Sequence, residues 1–365
     1  MQAFAEILNY DWQSLELAFC QEQLSFVRAE ITATHSQQEV NCTQAARTGR
    51  LRFVNLQPAQ PYHLKIYLSG QEVEFTFTTL PSPQGECLCR YAAIADPHIS
   101  LAYENRKGRL FRESALILAD VIAQANAAEV DFAILAGDLT NAGLDAEFRC
   151  VKELLTRLHA PLICAPGDHD ITCTEPQLWQ RFFPDEHCKY REIKDFAVLA
   201  LDTHQHCLAA SERGWLERLA RSERRKLLVS HVHLLPQPHL RLGAKTSNID
   251  NFADYAKDFS ALGDCLLYSG HQNVPCQIKV NNLWQIHLPQ TCQYLCSWYL
   301  VEVYQNGFYH KNIPITSEIL RQQSRLDAEA ASALYQEQQW STSYRQGESA
   351  AESNFIIPAQ DDPRW

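Results

Sequence analysis

Five short apolar runs in this 365-residue chain each end in residues that can bind metal. "AIA" leads into Asp96-Pro-His98, "AILA" into Gly137-Asp138, and "PLICAP" into Gly167-Asp168-His169-Asp170. "LLVS" leads into His231, and "LLYS" into Gly270-His271-Gln272-Asn273. A carboxylate left unpaired at the end of a buried strand is costly, because the charge has lost its water. Taken singly, each group reads as a turn, a helix cap or a hydrogen-bonded loop histidine. As an ordered set, mixed carboxylate and imidazole donors suit Mn, Fe or Zn, and a bridging carboxylate suits a pair of such ions.

Strands must bring these residues together. From residue 90, "RYAAIA", "DFAILA" and "PLICA" alternate with the amphipathic stretches "RLFRESALILADVIAQANAAE" and "AEFRCVKELLTRLHA", the pattern of βαβ units. "FAVLALD", "KLLVSH", "DCLLYSGH" and "WYLVEVY" continue the series. The chain is therefore α/β, and the carboxyl ends of such strands form the ligand crevice. Residues 1 to about 85 differ: "LELAFC", "FVRAEITAT", "GRLRFVNL", "HLKIYL" and "EVEFTFTTL" are short alternating strands that predict a small antiparallel β-sandwich. "PSPQGE" reads as the linker between the two. After residue 315 a surface helix over 318–340 and a polar tail follow, the helix packing on its own domain or on a neighbouring subunit, which leaves a homo-oligomer open.

The ordered motifs resemble the calcineurin-like metallophosphoesterase superfamily, whose pattern is D-x-H, GD, GNH[D/E], H and GHxH on successive strand ends. "GDLTNAG" and "LALDTHQH…GWLERLA" are most similar to its cyclic-nucleotide-phosphodiesterase-like branch. No tyrosine closely follows Asp138, which disfavours the purple acid phosphatase variant. The resemblance covers about residues 88–315 and implies a four-layer αββα sandwich over 86–315, behind the β-sandwich of 1–85 and before a C-terminal region of 316–365. It also implies two divalent ions. Asp96, His98, Asp138 and position 273 would hold the first, and Asp138, position 168, His231 and His271 the second. His169 would face the phosphate or protonate the leaving oxygen, oriented by Asp170. Two positions depart from the pattern: Asp168 stands where the family has Asn, and Asn273 where it has His. His231 is preferred to His233 because it directly follows its strand. Separately, "LQPAQPY" resembles the tyrosine corner of fibronectin type III domains.

The implied activity is hydrolysis of a small phosphoester, with a diester such as a cyclic nucleotide favoured. The alternatives are a phosphomonoesterase and a degenerate member that binds metal or a protein partner without turnover. A net charge of −11 argues against a nucleic-acid polymer as partner. The first residues lack a basic and apolar leader pattern, and no run of apolar residues suits a membrane helix. Thirteen scattered cysteines match no zinc or disulfide framework and suit a reducing, cytoplasmic setting. His204 and His206 read as surface residues. Arg241 and Lys245 could reach a phosphate, although solvated loop charges are the default.

Overall fold

The computed structural model describes residues 3–171, 175–184, 189–235, 248–337 and 353–359. Arg241 and Lys245 therefore lie outside the described residues. Seven antiparallel strands come first: β1 (Phe4–Tyr10), β2 (Ser14–Ser25), β3 (Arg28–Ala33), β4 (Ser36–Asn41), β5 (Ala46–Val54), β6 (Pro61–Leu68) and β7 (Gln71–Thr78). They form a sheet of order β1-β2-β5 and another of order β4-β3-β6-β7. Alternate residues such as Leu15, Leu17, Phe19, Leu64 and Ile66 meet in one core between them. The hydroxyl of Tyr62 accepts the backbone N–H of Gln57 at 2.8 Å, the hydrogen bond that the tyrosine-corner motif anticipates.

Among the described residues, twelve further strands build the α/β part. They are β8 (Cys89–Ile94), β9 (Phe132–Ala136), β10 (Leu162–Ala165), β11 (Tyr190–Ile193), β12 (Phe196–Ala200) and β13 (Arg225–Ser230). β14 (Cys265–Ser269), β15 (Cys276–Val280), β16 (Leu283–His287), β17 (Ser297–Tyr304), β18 (Gly307–Pro314) and β19 (Asn354–Pro358) follow. One sheet has the order β10-β9-β8-β17-β18-β19 and the other β11-β12-β13-β14-β16-β15. The period-two alternation of side chains decides the layering. Tyr91, Ala93, Ile134, Val198, Leu227 and Tyr268 point into the space between the sheets. Ala92, Ile94, Ala133 and Leu135 point the other way, onto helices α1 (Ser114–Ala127) and α2 (Asp145–Leu155). Leu199, Leu228 and Leu267 meet residues of the helices Glu212–Ala220 and Ala256–Ala261 on the far side. The result is the four-layer αββα sandwich, preceded by the small β-sandwich.

Two features go beyond the sequence reading. The polar tail contributes β19, which pairs with β18 and completes the first sheet. The β-sandwich is also joined to the α/β part through buried polar contacts. Glu6 pairs with Arg321, a residue 1% exposed on the helix Glu318–Tyr335, at 2.8 Å, and it accepts the Tyr294 hydroxyl. Lys311 meets Asp11 at 2.5 Å, and Asn312 donates to the Leu8 carbonyl. Among the described residues, no helix is long and apolar enough to cross a membrane.

Candidate metal centre

Strands β8, β9, β10, β13 and β14 run so that their carboxyl ends share one rim, and each ends in one or more of the residues singled out above. The backbone there is unusual. Asp96, His98, Asp138, His271 and Asn273 all have positive φ, between 42° and 62°, a region that costs a non-glycine residue about 1–3 kcal/mol. Such strain persists only where the surroundings enforce it, and it gathers at functional sites. Two glycines permit the close approach. A Cβ on Gly167 would stand 2.1 Å from Oδ1 of Asp138, and one on Gly270 would stand 2.3 Å from Oδ2 of Asp96.

Three sets of possible ligand atoms converge: His98, Asp138 and His169; Asp96, Asp138 and His231; and Asp168, His231 and His271. Asp138 and His231 recur, so the sets form one continuous cluster. Oδ2 of Asp138 lies 3.4 Å from Nε2 of His98 and 3.3 Å from Nε2 of His231. Oδ1 of Asp168 lies 2.9 Å from Nε2 of His231 and 3.3 Å from Nδ1 of His271. Asp138 is fixed by its other oxygen, which accepts the His169 backbone N–H at 3.0 Å. Nδ1 of His231 donates to the Ala136 carbonyl at 2.9 Å, so Nε2 is the ring atom turned toward the cluster.

The donors fit a cation. Both ring nitrogens of His98 and Oδ1 of Asn273 are buried without a hydrogen-bond partner. Buried polar atoms are almost always satisfied, and a bound cation would satisfy the one His98 ring nitrogen that bears a lone pair and the Asn273 oxygen. The electrostatics agree. Burial would raise the Asp138 carboxyl, but the charge of His231 holds it below its ordinary value. Burial likewise works against Asp168, yet the bonds from His231 and His271 hold its carboxyl well below the usual carboxylate range. Burial, opposed by Asp138, keeps His98 well below its ordinary value and hence neutral, as a ligand must be.

His169 and Asp170 call for one correction. Asp170 does not orient the His169 ring. Its carboxylate accepts the backbone N–H groups of Leu139, Thr140 and Gly167 and the Thr140 hydroxyl, locking the β9 and β10 loops together. Burial, with the charge of Asp138, lifts this carboxyl to about 7. The His169 ring is instead held by the Asn141 carbonyl, 2.5 Å from Nδ1, and stands edge-on to His98 with centroids 4.8 Å apart. Asn273 donates from Nδ2 to Oδ1 of Asp96 at 3.1 Å. His233 belongs to none of the three donor sets; it stacks on His287 at 3.5 Å, meets the Ser269 hydroxyl at 2.9 Å and stands edge-on to His271 with centroids 6.5 Å apart. His206, read from sequence as a surface residue, is half-buried, with its ring 5.3 Å from that of His271. No spacing rule could have flagged it, because it sits in the loop after β12. His204 pairs with Asp202 at 2.6 Å.

The calcineurin-like phosphoesterase family matches residues 89–275, just over half of the chain and the stretch that holds every candidate ligand. A glycerophosphodiester phosphodiesterase of Enterobacter lignolyticus is 31% identical over 134 residues, which are 34% of this chain and 46% of that relative. The alignment thus spans less than half of the relative's length. A dimetal phosphatase from Danio rerio shares the fold, with a TM-score of 0.52 at 13% identity, over 62% of this chain and 96% of the other. Motifs, layers and the strained rim agree with the family match, and the chain belongs to the calcineurin-like phosphoesterase family.

Proposed function

We propose that this protein is a metal-dependent phosphoester hydrolase that acts on small phosphodiesters, with cyclic nucleotides included among the candidates. The observation that carries the reading is the continuous ligand cluster in which Asp138 and His231 each belong to two donor sets. The first ion would be held by Asp96, His98, Asp138 and Asn273, and the second by Asp138, Asp168, His231 and His271. Mixed oxygen and imidazole donors suit Mn, Fe or Zn. When bound, such ions polarise phosphoryl oxygens and lower the pKa of a nearby water toward neutrality.

The chain's own residues supply the rest. With Nδ1 of His169 donating to the Asn141 carbonyl, Nε2 is the ring atom free to face the leaving oxygen, and it would pass a proton to that oxygen only after taking one up. Asp170 acts through the backbone, keeping the Asp138 and Asp168 loops in register. The diester preference draws on the relative named as a glycerophosphodiester phosphodiesterase. A cytoplasmic location is part of the same reading, supported by the absence of a disulfide among the described cysteines.

The test is turnover of the purified protein against monoester, diester and phosphonate-ester substrates with Mn, Fe, Zn and Mg. The reading expects diester hydrolysis that a chelator abolishes and added metal restores. Monoester turnover alone would replace the substrate class. No turnover with any metal would favour the degenerate, non-catalytic alternative.

A further inference from the structure

An anionic substrate needs positive charge, and this chain carries a net −11 with three aspartates in its ligand cluster. Three carboxylates leave two divalent ions with a single net positive charge. A fixed cation beside the cluster would double it. Arg109 is placed to be that cation.

Its position follows from the loop that leaves β8. After His98 the chain runs out and folds back through a narrow turn, in which Arg106 and Arg109 exchange backbone hydrogen bonds of 3.1 and 2.8 Å. Leu110 then donates to the Cys292 carbonyl at 2.8 Å, and the Phe111 ring stands 6.4 Å from that of His98. The Arg109 side chain is half-buried and has no ion-pair or side-chain hydrogen-bond partner among the described residues. Its Nε is out of contact with water and unsatisfied, which is costly for a charged donor. The guanidinium is near enough for its charge to act on His98 and on Cys292.

The turn is also held rigidly. Gly108 has φ of +81°, and a Cβ there would stand 2.7 Å from the Ser324 carbonyl oxygen. The Ser324 hydroxyl donates to the Gly108 carbonyl, and Gln293 donates to that of Lys107. Ser324 lies on the helix that Glu6 of the β-sandwich grips through Arg321. An arginine with no side-chain partner among the described residues, carried on a backbone turn held in this way, is available to an anion. The planar guanidinium fork matches two oxygens of a phosphoryl group.

We propose that Arg109 is a substrate-binding residue that takes the non-bridging phosphoryl oxygens on the His98 side of the centre. The proposal rests on the phosphoesterase reading, and the experiment separates the two. Metal content, the KM and kcat of a phosphodiester, and the affinity for inorganic phosphate by calorimetry are measured for the wild type, Arg109→Gln and Arg109→Lys. Arg109→Gln is expected to keep its metal, to bind phosphate about 10- to 100-fold more weakly, and to raise KM by a similar factor. Arg109→Lys should recover part of the loss, since it restores the charge without the fork. Phosphate affinity and KM unchanged in Arg109→Gln would overturn the proposal, as would loss of metal from both variants, which would make Arg109 structural. A wild type that binds phosphate through Arg109 but turns over no ester would contradict the hydrolase reading alone.

Discussion

The side-chain amide of Asn273 donates to Oδ1 of Asp96 at 3.1 Å and leaves its own carbonyl oxygen buried and unpaired. An imidazole at 273, as the family pattern has it, would offer a stronger nitrogen donor than this neutral oxygen. The centre should therefore be unequal, with a looser first site and a tighter second one. Asn273→His is expected to tighten the first site about tenfold, a change of the size that ligand-shell substitutions bring. Titration of metal into the metal-free protein checks this. Two equal, unchanged affinities in the variant would remove Asn273 from the ligand set.

Asp168 adds a negative charge where the family has a neutral amide. A less positive centre acidifies water less, so the wild type should work best at alkaline pH. Asp168→Asn is expected to move the pH–rate profile down by about one unit while metal remains bound. If neither profile nor metal content changes, Asp168 serves only to hold His231 and His271.

Much of this site was legible before the fold was known, because each candidate ligand follows directly on an apolar run. Strand ends are local features, and parallel strands bring them to one rim. Contacts made across long stretches of sequence were not legible. Nothing around Asp170 indicates that its carboxylate caps backbone groups of residues 139 and 140. Nothing near "NFIIP" indicates that it pairs beside residues 307–311. His206 reaches the centre from a loop, where no periodicity constrains direction.

The β-sandwich read as separable, yet Glu6 is buried against Arg321 on the other part. Removing one partner of a buried ion pair strands the other charge. Glu6→Gln is expected to lower unfolding stability by about 3 kcal/mol, as measured by chemical denaturation. A chain beginning at Gly85 should retain its metal ligands but unfold more readily than the full chain, since Arg321 loses Glu6 and keeps Glu318 as its carboxylate partner. Unchanged stability in Glu6→Gln would show that the contact carries little.

A pH effect arises away from the metal centre. Burial pushes the His310 imidazole down to about 3, and Nε2 takes the Tyr268 hydroxyl at 2.7 Å, which in turn meets that of Tyr91. The unfolded chain binds this proton near pH 6.5, before the folded one does. The contribution is therefore complete above about pH 6.5 and is lost as the pH falls toward about 3, by up to about 4 kcal/mol. Stability of His310→Gln, measured from pH 7 to 4, should fall less steeply than that of the wild type. Parallel curves would exclude His310 as a source of acid sensitivity.

The central claim is that five strand ends build one two-ion centre around Asp138. Elemental analysis of the protein expressed with added Mn, Fe or Zn, beside Asp138→Ala, tests it most directly. The account predicts close to two ions per wild-type chain and loss of both in Asp138→Ala, because a shared carboxylate holds each of them. A wild-type chain that carries no metal, or an Asp138→Ala variant that keeps its full complement, would contradict it.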